Sequence, residues 1–331
     1  MNYDAIDIIG TRRKVRMTGP TLRFVTCADT NGGHRMGYWQ WGAADAPHVV
    51  LCVHGLTRQG RDFDVLARAL LERAKGQIRI VCPDVVGRGQ SDWLPDPQGY
   101  QLPAYAADML TLLAQLHAEH AIVTLDYVGT SMGGLVGVAI AGSPKLPLPA
   151  PIRRLVLNDV GPSISQAAVE RIGAYVGKGG RHDSLEAATD AMWALSSSFG
   201  PHTREQWLEL SRNMLVPAAQ RSEDGSAKVE SAQAGGPFVL HYDPAIGEPI
   251  RAITPEAAAQ GEAMMWALYD AITARTLVLR GAQSDLLTHE TAQAMTQRGP
   301  CARLVEFEGV GHAPTLIASA QHGVVVDFLL D

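Results

Sequence analysis

The sequence predicts an α/β protein built on a mostly parallel sheet covered by helices, with a helical segment inserted late in the chain. Three observations lead there. Short apolar, β-branched runs alternate with stretches of helical period. Six of those runs are near-continuous in apolar residues, as expected of strands covered on both faces. The alternation then breaks off between Gly161 and about Ile272.

The first two strand candidates, Leu22–Cys27 and Arg35–Trp41, alternate in polarity and suit an antiparallel edge hairpin. N-G-G at Asn31–Gly33 supplies its turn. The six apolar runs follow: Val49–Val53, Ile78–Cys82, Ile122–Val128, Arg154–Leu157, Thr276–Leu279 and Arg303–Phe307. Between them, Asp62–Arg73 carries Phe63, Leu66, Leu70 and Leu71 on one face. Tyr105–His117 repeats the pattern through Met109, Leu112, Leu113 and Leu116. Met132–Ala141 is small and apolar, which reads as a buried helix. Strands joined this way need right-handed crossovers.

The break is about 110 residues long, too long for a loop in a compact domain. It contains Trp193, Trp207 and Trp266, and glycine clusters such as Y-V-G-K-G-G and S-A-Q-A-G-G-P. No convincing strand is visible in it. We read it as a small helical domain over one edge of the sheet. The expected division is a core of residues 1–160 and 273–331 with a cap of residues 161–272.

The composition fits that class. With 331 residues, 46% hydrophobic and 19% charged, the chain can bury a sizeable core and is not a disordered one. The 28 basic and 34 acidic residues give a net charge of −6, without a basic stripe. Nucleic acid and anionic membrane surfaces are therefore not expected partners. Cys27, Cys52, Cys82 and Cys301 form no C-x-x-C pair and no zinc-ligand spacing, so reduced thiols are expected. The N-terminus opens on acidic residues with no apolar run behind them, unlike a signal peptide. The longest uncharged stretch, Tyr127 to Pro144, is broken by glycines and too short for a membrane span. A cytoplasmic protein is expected, and oligomeric state is not readable.

The sharpest local signal is Gly129-Thr130-Ser131-Met132-Gly133. It follows the apolar strand I-V-T-L-D-Y-V and precedes the small-residue helix, the strand–turn–helix setting that G-x-S-x-G requires. A serine on so tight a turn needs neighbours with almost no side chain. The helix behind it points N–H groups at developing negative charge. A dinucleotide loop, G-x-G-x-x-G, competes for the same stretch but fails because position 131 is serine. A chance glycine-rich turn is the other competitor.

A serine hydroxyl is a weak nucleophile and needs a base. Of eleven histidines, His312 stands apart in F-E-G-V-G-H-A-P, just past the last predicted strand. His34, His48, His117, His120 and His322 lack such a setting. The base in turn needs a carboxylate to hold its tautomer. Asp285, in G-A-Q-S-D after the strand T-L-V-L-R-G, is favoured because loops after successive strands then give the order Ser, Asp, His. Asp159, after R-L-V-L-N, is the rival, with a turn or cap role beside Gly161-Pro162 as its bland alternative. The oxyanion needs two aimed backbone donors, each worth about 3 kcal/mol. The amides of Met132 and of Leu56, in V-H-G-L, are the candidates, with His54 packing beneath as a structural residue.

Taken together, H-G-L at 54–56, D-V-V-G-R-G-Q-S-D at 84–92, G-T-S-M-G-G at 129–134, G-A-Q-S-D at 281–285 and G-H at 311–312 resemble the α/β-hydrolase fold family over nearly the whole chain. Gly87, Gly89 and Ser91 match that family's G-x-G-x-S loop. The resemblance implies an eight-stranded sheet, a Ser–His–Asp triad and a variable cap after the sixth strand, where residues 161–272 stand. Dehalogenases and epoxide hydrolases of the family carry aspartate at the elbow; this chain has Ser131.

The expected function is hydrolysis of an ester or related acyl bond of a small substrate through an acyl-enzyme, without metal or other cofactor. Candidate pocket walls are Trp193, Trp207, Tyr242, Trp266 and Tyr269, although packing within the cap is the better reading of any single one. Arg58 offers paired hydrogen bonds for a substrate carboxylate, or is a solvated arginine. Two alternatives stay open. S-M-G-G also looks like the branch that hydrolyses carbon–carbon bonds of ring-cleavage products. A non-catalytic, hydrolase-like binding protein is the other, although every triad and oxyanion position holds a competent residue type.

Overall fold

The computed structural model describes residues 3–6, 12–15, 19–218 and 237–331. At the N-terminus β1 (Tyr3–Ile6) pairs antiparallel with β2 (Arg12–Val15). The main sheet begins with β3 (Thr21–Cys27) and β4 (His34–Gly42). Asp29 shapes the turn between them, accepting hydrogen bonds from the amides of Asn31 and Gly33. β5 (His48–Val53), α1 (Asp64–Arg73), β6 (Arg79–Pro83), α2 (Leu102–Glu119), β7 (Thr124–Thr130), α3 (Met132–Ala141) and β8 (Ile152–Asn158) then alternate. After a long insertion the alternation resumes with β11 (Arg275–Gly281), α9 (His289–Gln297), β12 (Arg303–Phe307) and α10 (Ser319–Leu330).

Eight strands form one sheet in the order β12-β11-β8-β7-β5-β6-β4-β3. Only the pairings of β4, with β3 and with β6, are antiparallel. The six apolar runs are the six neighbouring parallel strands, and β5 and β6 are buried at almost every position. One face of the sheet packs under α2, α3 and α9, through Met109, Leu112, Val136, Ile140 and Met295. The other packs under α1 and α10, through Leu66, Leu70, Val325 and Leu329. The five inner apolar strands thus have helices on both sides, which stabilises them by about 25 cal/mol per Å² of apolar surface buried; β12, at the sheet edge, is covered less than its apolar run suggests and is only half-buried.

The insertion holds α4 (Gln166–Tyr175), α5 (Leu185–Ser196), α6 (Arg204–Arg212), α7 (Gly247–Arg251) and α8 (Pro255–Asp270). Ser165, Ser184, Thr203 and Thr254 cap α4, α5, α6 and α8 at their N-termini. Contrary to the reading of the sequence, the insertion also contains strands. β9 (Leu215–Pro217) pairs antiparallel with β10 (Phe238–Leu240). Three residues are too few to display a period-two pattern, so the pair is set by its tertiary partners. A separate small core of Met192, Trp207, Leu210 and Met214 holds α5 and α6 together.

The last helix of the insertion belongs to the main core. Met265 and Tyr269 of α8 pack with the residues of α3, and the Tyr269 hydroxyl donates to the Met295 carbonyl at 2.7 Å. α8 comes so close to α3 that a β-carbon on Gly142 would lie 2.1 Å from the Leu268 carbonyl oxygen. Gly142→Ala is therefore expected to push α8 off α3 and cost about 3 kcal/mol. A loss of unfolding free energy of that size, read from the shift of the urea midpoint multiplied by m, checks it.

Candidate active site

The elbow between β7 and α3 carries Ser131 at φ 52° and ψ −118°, a conformation that L residues rarely adopt. The residues two positions to either side must be glycine. A β-carbon on Gly129 would lie 2.4 Å from the Gly133 carbonyl oxygen, and one on Gly133 would lie 2.0 Å from that of Val53. The cost of the strained turn is met by the helix and sheet on either side. The Ser131 amide donates to the Asn158 carbonyl, and the amides of Gly134 and Leu135 donate to the Ser131 carbonyl.

The loop after β12 brings His312 to the same edge. Its Nε2 lies 2.9 Å from Ser131 Oγ, and its Nδ1 lies 2.7 Å from Asp159 Oδ2. A carboxylate only accepts, so Nδ1 carries the hydrogen and Nε2 is left to accept from the serine hydroxyl. Asp159 is fully buried directly after β8, at φ 56°. It also accepts from the Gly281 amide at 2.8 Å and from Ser284 Oγ at 2.6 Å. Three donors compensate for burying the charge.

Asp285 does not take that place. Its carboxylate is 55% exposed and paired with Arg171 at 2.7 Å. Both aspartates follow strands, and both satisfy the chain order. Local backbone decides between them. The positive φ of Asp159 turns its side chain under the imidazole at the first residue past the strand. Three residues of loop separate Asp285 from the strand end, and its neighbour Ser284 makes the contact with Asp159 instead. The unusual dihedral was the only mark of Asp159, and no sequence pattern prints it.

H-G-L forms the facing loop. An added β-carbon on Gly55 would lie 3.6 Å from Ser131 Cβ, so Leu56 and Met132 lie on adjoining backbone segments. A buried guanidinium ties the two together. Arg88 Nε donates to the Leu56 carbonyl at 2.8 Å, and Arg88 Nη2 lies 3.5 Å from Met132 Sδ. Arg88 also donates to Val86 and Tyr105, and no carboxylate among the described residues pairs with it. His54 lies underneath. Its Nε2 accepts from the Val85 amide at 2.9 Å, so Nδ1–H donates to the Gly55 carbonyl at 2.7 Å. Burial pushes its pKa down to about 3.

The G-x-G-x-S loop is held by Asp84, which accepts from Gly60, Gln90 and Trp39. Burial raises the Asp84 pKa to about 6 despite those donors.

A cavity of about 330 Å³ opens on Ser131 and His312. Its apolar walls are Leu56, Ile172, Tyr175, Met192, Phe199, Met214, Leu240 and Tyr242. Of the side chains singled out from sequence, Tyr242 and Arg58 line it. Arg58 is already held by Asp62, at 2.5 and 2.7 Å. Trp193 and Trp266 do not line it. Trp193 packs edge-on against Trp207 at 4.9 Å between ring centres, inside the small core of the insertion. Trp266 donates to Ser163 and lies under the Arg298 guanidinium. Trp207 and Tyr269 are core residues for the same reason: large rings are first recruited to packing. The residues missed, Ile172 and Met192 on helix faces and Met214 in the turn before β9 among them, have nothing to distinguish them in sequence.

Away from this edge, Cys27, His34 and Asp108 bring ligand-type atoms within 4.8 Å of one another. His34 is hydrogen-bonded there to both Asp29 and Asp108, which ties the β3–β4 hairpin to α2.

A model of the alpha/beta hydrolase family matches residues 50–328. The chain belongs to the alpha/beta hydrolase family. This hydrolase is 47% identical over 309 residues to a 3-hydroxybutyrate-oligomer hydrolase of Cupriavidus necator, covering 93% of this chain and 97% of that one. Its fold matches an alpha/beta hydrolase from Novosphingobium aromaticivorans at 33% identity and a TM-score of 0.75, over 95% and 99% of the two chains. It also matches E-2-(acetamidomethylene)succinate hydrolase at 18% identity and a TM-score of 0.69, over 93% and 99%.

Two outcomes are expected from this geometry. Asp159→Asn should slow labelling of Ser131 by a fluorophosphonate by about three to four orders of magnitude, through loss of the tautomer, while Asp285→Asn stays within a few-fold of wild type. Labelling rates on purified variants decide it. His54 is neutral when folded down to about pH 3, whereas an unfolded histidine takes a proton near 6.5. Below pH 6.5 the unfolded chain therefore binds the extra proton, and stability falls as pH drops toward 3. Urea midpoints measured from pH 7 to pH 4 should fall less steeply in His54→Gln than in wild type.

Proposed function

We propose that this chain is a serine hydrolase that cleaves ester bonds in short oligoesters of small hydroxy acids, such as 3-hydroxybutyrate oligomers. The observation that carries the reading is the hydrogen-bonded line from Asp159 through His312 to Ser131 at the floor of an apolar-walled cavity. The similarity to the Cupriavidus necator enzyme supports the choice of substrate.

In this reading His312 Nε2 takes the hydroxyl proton while Ser131 Oγ forms a bond to the ester carbonyl carbon. Asp159 stabilises the imidazolium that results. The amides of Leu56 and Met132 hold the oxyanion, each worth about 3 kcal/mol in the transition state. The carbon–oxygen bond to the leaving group breaks, and His312 returns the proton to it as a hydroxy acid departs. Water, deprotonated by His312, then attacks the acyl-serine and releases the second product. Chain rigidity serves this scheme, because Arg88 and His54 fix the Leu56 loop before substrate arrives.

The insertion acts as a cap here. α4, α5 and β10 supply Ile172, Met192 and Leu240 to the cavity, while the sheet edge supplies the reacting groups. Methyl-bearing oligoesters suit such walls, which are apolar and dotted with Thr57, Thr130, Ser196 and Ser198. A cytoplasmic location belongs to the same reading, with Cys27, Cys52 and Cys82 buried as free thiols.

Purified protein should release 3-hydroxybutyrate from its dimer and trimer. Ser131→Ala should lower kcat by about 10⁵-fold or more while substrate still binds. Absence of turnover on both oligomers, with retained turnover of p-nitrophenyl butyrate, would reject the substrate class and keep the serine chemistry.

A further inference from the structure

Three cations line the cavity: Arg58, Arg171 and Lys178. No Asp or Glu lines it among the described residues. Two of the cations are already matched. Arg58 is held by Asp62 through two hydrogen bonds, and Arg171 is paired with Asp285 at 2.7 Å. Lys178 has no carboxylate partner among the described residues.

The position of Lys178 is built. It stands in the turn that ends α4, its amide donating to the Tyr175 carbonyl at 3.0 Å. Gly177 before it has φ 83°, and its amide donates to the Tyr242 hydroxyl at 3.2 Å. Gly179 after it packs on Leu240, where a β-carbon would lie 3.0 Å from Leu240 Cδ1. Glycines on both sides bring the backbone against two cavity walls and leave the lysine as the one long side chain of the turn. This is the Y-V-G-K-G-G cluster, which the catalytic scheme leaves without a task.

We propose that Lys178 binds the free carboxylate of the substrate's leaving group, making the cavity a subsite for carboxylate-ended esters. The inference rests on the serine-hydrolase reading above and narrows its substrate. A hydroxy-acid oligomer has one carboxylate end. When the ester next to that end is cut, the departing unit carries both the carboxylate and the oxygen that must receive the proton from His312. Anchoring the carboxylate at Lys178 fixes that oxygen near the imidazole. The cut then falls within one cavity length of the carboxyl terminus. A compact ammonium on a flexible stem suits this task better than a bidentate arginine, because successive leaving groups differ in length. Lys178 is solvent-exposed where it borders the cavity, and an unmatched cation there draws an anion in with a strength that falls as salt is added.

The test uses 3-acetoxybutyrate and its methyl ester, with acetate release as the readout. Both have the same acyl group and the same scissile bond, and differ in the leaving group's charge. Wild type is expected to favour the free acid by about tenfold or more in kcat/KM, with the preference shrinking as salt is added. Lys178→Ala should lower that ratio about tenfold, mainly through KM. Lys178→Glu should bring it below one, and Lys178→Arg should keep most of it. A ratio near one in wild type, or an unchanged ratio in Lys178→Ala and Lys178→Glu, overturns the proposal. If the acid preference and its loss in Lys178→Ala are found but 3-hydroxybutyrate dimer and trimer are not cleaved, the subsite stands and the oligoester reading fails. If the oligomers are cleaved without any acid preference, the reverse holds.

Discussion

The edge of the sheet that opens on the cavity is organised by a two-link hydrogen-bonded line, Asp159 to His312 to Ser131, at 2.7 and 2.9 Å. Each link tolerates only a few tenths of an ångström before its hydrogen bond weakens. The three residues come from the ends of β7 and β8 and from the loop after β12. They can meet only because parallel strands place all their C-terminal ends along one rim. The sheet is in that sense the instrument that sets the distances. Its stiffness comes from apolar strands covered on both faces, so that no strand can slide without exposing its whole row of side chains.

The same requirement explains where strain is stored. Ser131 and Asp159 both take positive φ, and both stand immediately after strands. Neither residue would hold that conformation in a free peptide. Here the neighbouring glycines, the start of α3 and the donors from Gly281 and Ser284 over-determine it. Arg88 does similar work from below. A fully buried guanidinium whose donors go to backbone carbonyls and a tyrosine hydroxyl is costly to bury, and it is retained where it joins the Leu56 loop to Met132.

The cavity shows a different division of labour. Its floor is polar and comes from the sheet edge; its walls are apolar and come mostly from the insertion. Charge sits at the cavity as three cations, of which two are neutralised by their own aspartates. One of those aspartates is Asp285, the residue that position after a strand suggests for the triad. Its real partner, Arg171, lies far away in sequence and shares no pattern with it. The large aromatic residues of the insertion went the other way, into packing, because a ring buried against other rings removes more surface from water than one lining an open cavity.

The amino-acid order alone determined the sheet and its helices, and it singled out the serine at the β7–α3 elbow, the histidine beyond the last strand and the break in the alternation after residue 160. These rest on local physics: periodicity, strand burial, and the steric need for glycine beside a tight turn. Tertiary structure decided which aspartate holds His312, that β9 and β10 pair, which cations stay unmatched, and which side chains face the cavity. Those outcomes turn on dihedral angles and on partners as much as 153 positions apart. A one-dimensional pattern has no means of expressing either, since contact and direction exist only once the chain has closed on itself.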